Sequence, residues 1–97
     1  MTGPTRSSSG LDARQRRLLF RSWHRGTREM DLIMGPFADA MIDRLTPAEL
    51  DEYELLMEAP DPDVYAWVLG DLTPPVPYDC DVFRRLCAFH RDRRERQ

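Results

Sequence analysis

Arg25-Gly26-Thr27-Arg28-Glu29-Met30-Asp31 is the stretch of this 97-residue chain whose residue types and spacing suit chemistry between molecules. Two guanidinium groups flank a residue with no side chain, so a partner backbone can approach Gly26 closely while Arg25 and Arg28 grip its carboxylates as planar forks. That chemistry is recognition, with no bond made or broken. A plain turn accounts for the same residues: Gly26 ends one helix in a left-handed conformation, and Glu29 and Asp31 suit the positive start of the next. On physical grounds alone the two readings stand level.

The remaining reactive side chains are sparse. His24 and His90 each lie among arginines on predicted helices, and no Ser or Cys has a base and an orienting acid near it, so no enzyme is expected. Cys87 and His90 are three apart on one helix face with Cys80 upstream, but a metal site lacks a fourth ligand unless His24 joins them. A small core cysteine and part-exposed histidines are the simpler account. Within one helix, seven residues hold Cys80 and Cys87 about 10 Å apart, beyond the roughly 7 Å limit for a disulfide. The five glycines are scattered, so neither a phosphate loop nor a dinucleotide fingerprint can be assembled and no cofactor is expected to be held stably.

Composition narrows the classes further. Hydrophobic residues make up 41% and charged residues 32%, against the usual roughly 45–50% and 25%, which implies a thin core under a charged surface. All fourteen cations are Arg. Residues 1–30 hold seven Arg against Asp12 and Glu29, residues 31–83 hold Arg44 against thirteen acids, and residues 84–97 hold six Arg against Asp92 and Glu95. The order basic, acidic, basic gives an electrostatic address for a partner. A small Arg-rich helical nucleic-acid-binding or antitoxin-like regulator is the alternative class, although a pI of about 5.3 argues against it and no nucleic acid is expected. With no long apolar run and no apolar signal core, the chain is expected to be soluble and cytoplasmic, without a membrane span.

The elements that must position the motif follow from periodicity. Residues 1–10, rich in Ser and Gly, are expected to be a disordered tail, residues 11–93 one helical domain, and residues 94–97 a frayed end, with fraying from about Arg91. Leu19, Phe20 and Trp23 mark the inner side of a first helix, with Arg14, Arg17, Arg21 and Arg25 facing water and Gly26 ending it. Met30, Ile33, Met34, Phe37, Ala38, Met41, Ile42 and Leu45 form the stripe of a second helix with Asp31, Gly35, Asp39 and Asp43 opposite, and Pro36 should kink it. Thr46 and Glu49 predict a capping box for a third helix, with Pro47 at its first position and Leu45 stapled to Leu50. Its Leu50, Tyr53, Leu56 and Met57 face inward and Asp51, Glu52, Glu54 and Glu58 outward. Asp61 before Pro62 predicts the cap of a short fourth helix carrying Val64, Trp67 and Val68 and ending near Gly70. Pro74-Pro75-Val76-Pro77 reads as an extended connector, and Asp79 or Asp81 as the cap of a last helix carrying Val82, Phe83, Leu86, Cys87 and Phe89. The expected fold is all-α, a compact bundle of five short helices.

At this point the residues resemble a known family, the succinate dehydrogenase assembly factor 2 or SdhE-type FAD assembly factors. Its RGxxE signature between the first two helices is matched by Arg25-Gly26-Thr27-Arg28-Glu29, followed by Met30-Asp31. Asp61-Pro62-Asp63-Val64-Tyr65-Ala66-Trp67-Val68 is similar to a second family block, and the likeness runs from about Leu11 to Arg93. His24 stands where many members carry a second Arg. The resemblance implies a five-helix chaperone that is not an enzyme. It would bind the flavoprotein subunit of succinate dehydrogenase, and often of fumarate reductase, and promote covalent attachment of FAD to a histidine of that subunit. It further implies that Arg25, Gly26 and Glu29 carry the partner contact with Arg28 and Asp31 as neighbours. A monomer that acts on the partner's FAD without keeping it is the expectation.

Overall fold

The computed structural model describes residues 9–95, and among them every regular element is helical. Five α-helices follow in order: α1 (Ala13–Trp23), α2 (Arg28–Met41), α3 (Pro47–Glu58), α4 (Asp61–Leu69) and α5 (Asp81–Glu95), with a single 3-10 turn at Val76–Tyr78. The all-α expectation holds. The chain divides into two compact units, the first ending at Leu45 and the second beginning at Thr46. The expected tail over residues 1–8 lies outside the described residues.

In the first unit, α1 starts at a capping box absent from the sequence reading. Asp12 accepts the Gln15 N–H at 2.8 Å while the Gln15 side chain accepts the Asp12 N–H at 2.9 Å. Gln15 also donates to the Ile42 carbonyl at 3.3 Å, tying the start of α1 to the end of α2. The two helices therefore run antiparallel. Leu18 and Leu19 are buried with Trp23, and Ser22 is fully buried with its hydroxyl donating to the Leu18 carbonyl at 2.7 Å. Phe20, expected inside, is exposed: its position turns it out of the Leu18, Leu19, Ser22 and Trp23 face.

The second helix corrects the sequence reading more instructively. Met30, Ile33, Met34, Phe37 and Ala38 are buried as expected, and α2 continues through Pro36 without a break. Yet Asp31 and Gly35 are buried too, because α1 packs against the row expected to face water. The Trp23 indole lies on Gly35, where an added Cβ would fall 2.4 Å from its Cδ2. Its N–H donates to Asp39 at 3.0 Å. Asp31, Gly35 and Asp39 follow one another at four-residue steps, so one ridge of α2 receives the end of α1.

In the second unit, α3 begins as expected. Thr46 accepts the Glu49 N–H at 3.2 Å, Glu49 accepts the Thr46 N–H at 2.9 Å, and Pro47 occupies the first turn. Leu50, Tyr53, Leu56 and Met57 are buried. Glu52, placed outside by pattern, is half-buried because its carboxylate accepts the Val82 N–H at 3.2 Å. That contact serves the start of α5 in place of Asp79 or Asp81; these two instead hold Arg84 at 2.9 and 2.6 Å. Glu49 pairs with Arg85 at 2.9 Å, a second tie between α3 and α5. The cap residue of α4 is Pro60, with Asp61 inside the first turn, since proline supplies extended backbone and no side-chain acceptor. Gly70 ends α4 at φ +84°, the left-handed stop. The proline connector tightens into the 3-10 turn, whose Tyr78 ring packs 5.1 Å from that of Trp67. Helix α5 persists past Arg91 to Glu95, with the Arg93 guanidinium 5.4 Å from the centre of the Phe89 ring. Its Cys87 and Phe89 are half-buried where Val82, Phe83 and Leu86 are buried.

Two outcomes test this packing. Gly35→Ala gains about 1 kcal/mol of helix propensity but must displace the indole, an overpacking cost of about 1–3 kcal/mol together with the Asp39 hydrogen bond. Net destabilisation of about 1–2 kcal/mol is expected in urea unfolding, with a changed near-ultraviolet tryptophan signal. Asp12→Ala and Thr46→Ala should each lower stability by about 1 kcal/mol in the same assay.

Candidate functional site

The motif residues occupy the turn between α1 and α2 and the first turn of α2, wholly inside the first unit. Helix α1 stops at His24, whose N–H reaches the Arg21 carbonyl. Gly26 then takes φ +112°, a backbone state that side chains with a Cβ resist, and Thr27 caps α2 by accepting the Met30 N–H at 3.3 Å. Nothing lies within 4 Å of where a Gly26 Cβ would stand, so the left-handed backbone and not crowding within the chain calls for glycine there. The outer side of the turn is open to an approaching backbone.

Asp31 holds this geometry from below. It is 8% exposed, and its carboxylate accepts the Arg25 N–H at 2.6 Å, a charge-assisted bond across the turn. A side chain on α2 thus fixes the backbone of the residue before Gly26. Among the five residues expected to meet a partner, Asp31 is placed as the support and the others around it. Gly26, Arg28 and Glu29 are exposed and Arg25 is half-buried. The Arg28 and Glu29 side chains make no hydrogen bond or ion pair within the described residues, so neither side chain is committed to the fold.

An open depression of about 510 Å³ adjoins the turn, lined by Trp23, His24, Gly26, Thr27, Arg28, Asp31 and Leu32. Three of the five motif residues face it. The sequence reading had no place for Leu32, and it took Trp23 for a core residue only. Gly35 within the row Asp31, Gly35 and Asp39 was the one available signal, since a glycine in mid-helix is disfavoured unless something packs closely on it.

The other candidates stay apart from chemistry. Among the described residues no group of three or more His, Cys, Asp or Glu is arranged to hold a metal. Cys80 and Cys87 are not joined in a disulfide. Burial pushes the Cys80 thiol pKa up and the nearby Glu52 carboxylate adds to this, while the Phe83 and Val82 amides oppose it, so Cys80 is a poor thiolate. No described helix is long and apolar enough to cross a membrane.

Comparison with known proteins bears on this geometry. The family model described as the flavinator of succinate dehydrogenase matches residues 16–90, a span that includes the whole turn. The FAD assembly factor SdhE of Acetobacter pasteurianus is 39% identical over 100 aligned positions, covering 96% of this chain and 92% of the relative. Mitochondrial succinate dehydrogenase assembly factor 2 of Dictyostelium discoideum is 36% identical over 76 positions, covering 78% of this chain and 54% of the relative. The protein of that name from Meyerozyma guilliermondii is 39% identical over 75 positions, covering 75% and 52%. The chain spans about half the length of these mitochondrial relatives. No solved structure matches it. With the signature turn built as described and three quarters of the chain inside the family model, the protein belongs to the succinate dehydrogenase flavinators, the family of FAD assembly factors.

Proposed function

We infer that this chain binds the flavoprotein subunit of succinate dehydrogenase, and of fumarate reductase where that enzyme is made, and promotes covalent attachment of FAD to it. It acts as a cytoplasmic, monomeric chaperone and not as an enzyme. The observation that carries this reading is the turn itself. Gly26 lies open at φ +112°, braced by Asp31, and presents the uncommitted Arg28 and Glu29 side chains, within a chain matched by a flavinator family model.

The flavin belongs to the partner. Five scattered glycines make no phosphate loop, and the depression beside the turn is open, so this chain's residues do not fit a resident flavin. The linkage chemistry is supplied by the flavin and its host. The chain's part is differential binding: a factor that binds the attachment-competent conformation 100-fold better than the other shifts the equilibrium by about 2.7 kcal/mol without any catalytic group. Arg28 and Glu29 offer charges of both signs at the docking surface, and Gly26 lets a partner backbone close on the turn.

In a strain lacking the chromosomal copy, Glu29→Ala should restore little of the in-gel flavin fluorescence of the subunit while changing stability by less than about 0.5 kcal/mol, as exposed substitutions do. Gly26→Val should restore none, because it fills the close-approach space and forces a β-branched residue to a positive φ. Full fluorescence with both variants would show that the subunit docks elsewhere.

A further inference from the structure

Phe20 is 59% exposed on α1 and Leu32 is 48% exposed on α2. His24 links them across the surface. Its ring stacks on Phe20 with centroids 4.0 Å apart and planes 14° from parallel, and it lines the same depression as Leu32. The imidazole is also held from the backbone, with Nδ1 2.7 Å from the Phe20 carbonyl oxygen. Isolated exposed apolar side chains need no explanation. Here they run from α1 across the depression to α2 and are continuous with the Gly26 turn. An aromatic pair already ordered in the free protein loses little side-chain freedom on contact, which is the property of an interface anchor.

Uncommitted cations stand at both ends of this strip, and Glu29 adds one uncommitted acid beside Arg28 at the turn. Arg17 is exposed one turn before Phe20 on the same face of α1, and Arg28 is exposed at the opposite end. Neither side chain has a hydrogen bond or ion pair within the described residues. Asp31, the acid lining the depression, already accepts the Arg25 N–H. A segment that fits therefore carries an apolar or aromatic side chain with carboxylates on either side of it.

We propose that Phe20, His24 and Leu32 form the apolar centre of a docking strip that receives such an acid-flanked apolar segment of the flavoprotein subunit, with Arg17 and Arg28 taking its carboxylates. The proposal rests on the reading that the Gly26 turn meets this subunit, and it adds Arg17, Phe20, His24 and Leu32, all outside the Arg25–Glu29 motif, to the side chains that set affinity and partner choice.

The test uses the full chain and the purified flavoprotein subunit of succinate dehydrogenase lacking covalent flavin, immobilised for interferometry at two salt concentrations. Phe20→Ala and Leu32→Ala should each weaken binding about tenfold or more at both salt concentrations, with unchanged helical circular dichroism, and Phe20→Tyr should retain binding. The double variant Arg17→Glu, Arg28→Glu should weaken binding most at low salt and flatten its salt dependence. If Phe20→Ala and Leu32→Ala bind like the parent while Glu29→Ala does not, the strip is overturned and the turn reading stands. Failure of the parent chain to bind the subunit overturns both. A parent dimer in sedimentation that Phe20→Ala converts to monomer assigns the strip to a second copy and overturns the proposal.

Discussion

The seating of one indole on one glycine governs the first unit. Trp23 is the last residue of α1, and its ring occupies the space that any side chain at position 35 would need. The N–H of the same ring is directed to Asp39, so the contact is fixed by both shape and hydrogen bonding. Because Trp23 immediately precedes the turn, its placement decides where His24, Arg25 and Gly26 begin. Asp31 then takes the Arg25 amide from the same ridge of α2. A tight helix pair and a defined loop are thus consequences of a single packing arrangement.

What sequence reasoning could and could not reach follows from the range of each interaction. Thr46, Pro47 and Glu49 were legible because a capping box closes within four residues and depends on little else. Gly26 and Gly70 were legible for the same reason, as helix ends that require left-handed backbone. The Asp12–Gln15 box is equally local, with Gln in the place that Glu holds in the α3 box. By contrast, the burial of Asp31 and Gly35 depends on a second helix crossing the polar row of the first, which periodicity along one helix cannot report. The same limit hid Glu52, whose partner is the amide of Val82, thirty residues on. The motif itself was visible, but the division of labour within it was not: an acid that supports the turn and an acid that faces out look alike until burial separates Asp31 from Glu29.

A protein of this size with a thin core can still present a defined surface if its functional segment is tied to its best-packed residues. The turn meets that condition. Flexibility in the loop would tax binding by the fraction of time spent in other shapes, and the Asp31 bond reduces that loss before any partner arrives. Charge follows the same economy of means. Arg84 and Arg85 of α5 are held by carboxylates, whereas Arg28 and Glu29 at the turn are left for external contact.

Pro36 carries a consequence of another kind. In an α-helix each carbonyl normally receives the N–H four residues ahead, and proline has none to give. The carbonyl of Leu32 is therefore deprived of its regular helical donor at the very residue whose side chain borders the depression. That acceptor is part of the main chain. No substitution at position 32 can delete it, and replacing Pro36 by an ordinary residue would silence it by completing the helix. The proline thus sets one carbonyl in the middle of the helix apart from its neighbours, in the main chain and not in any side chain.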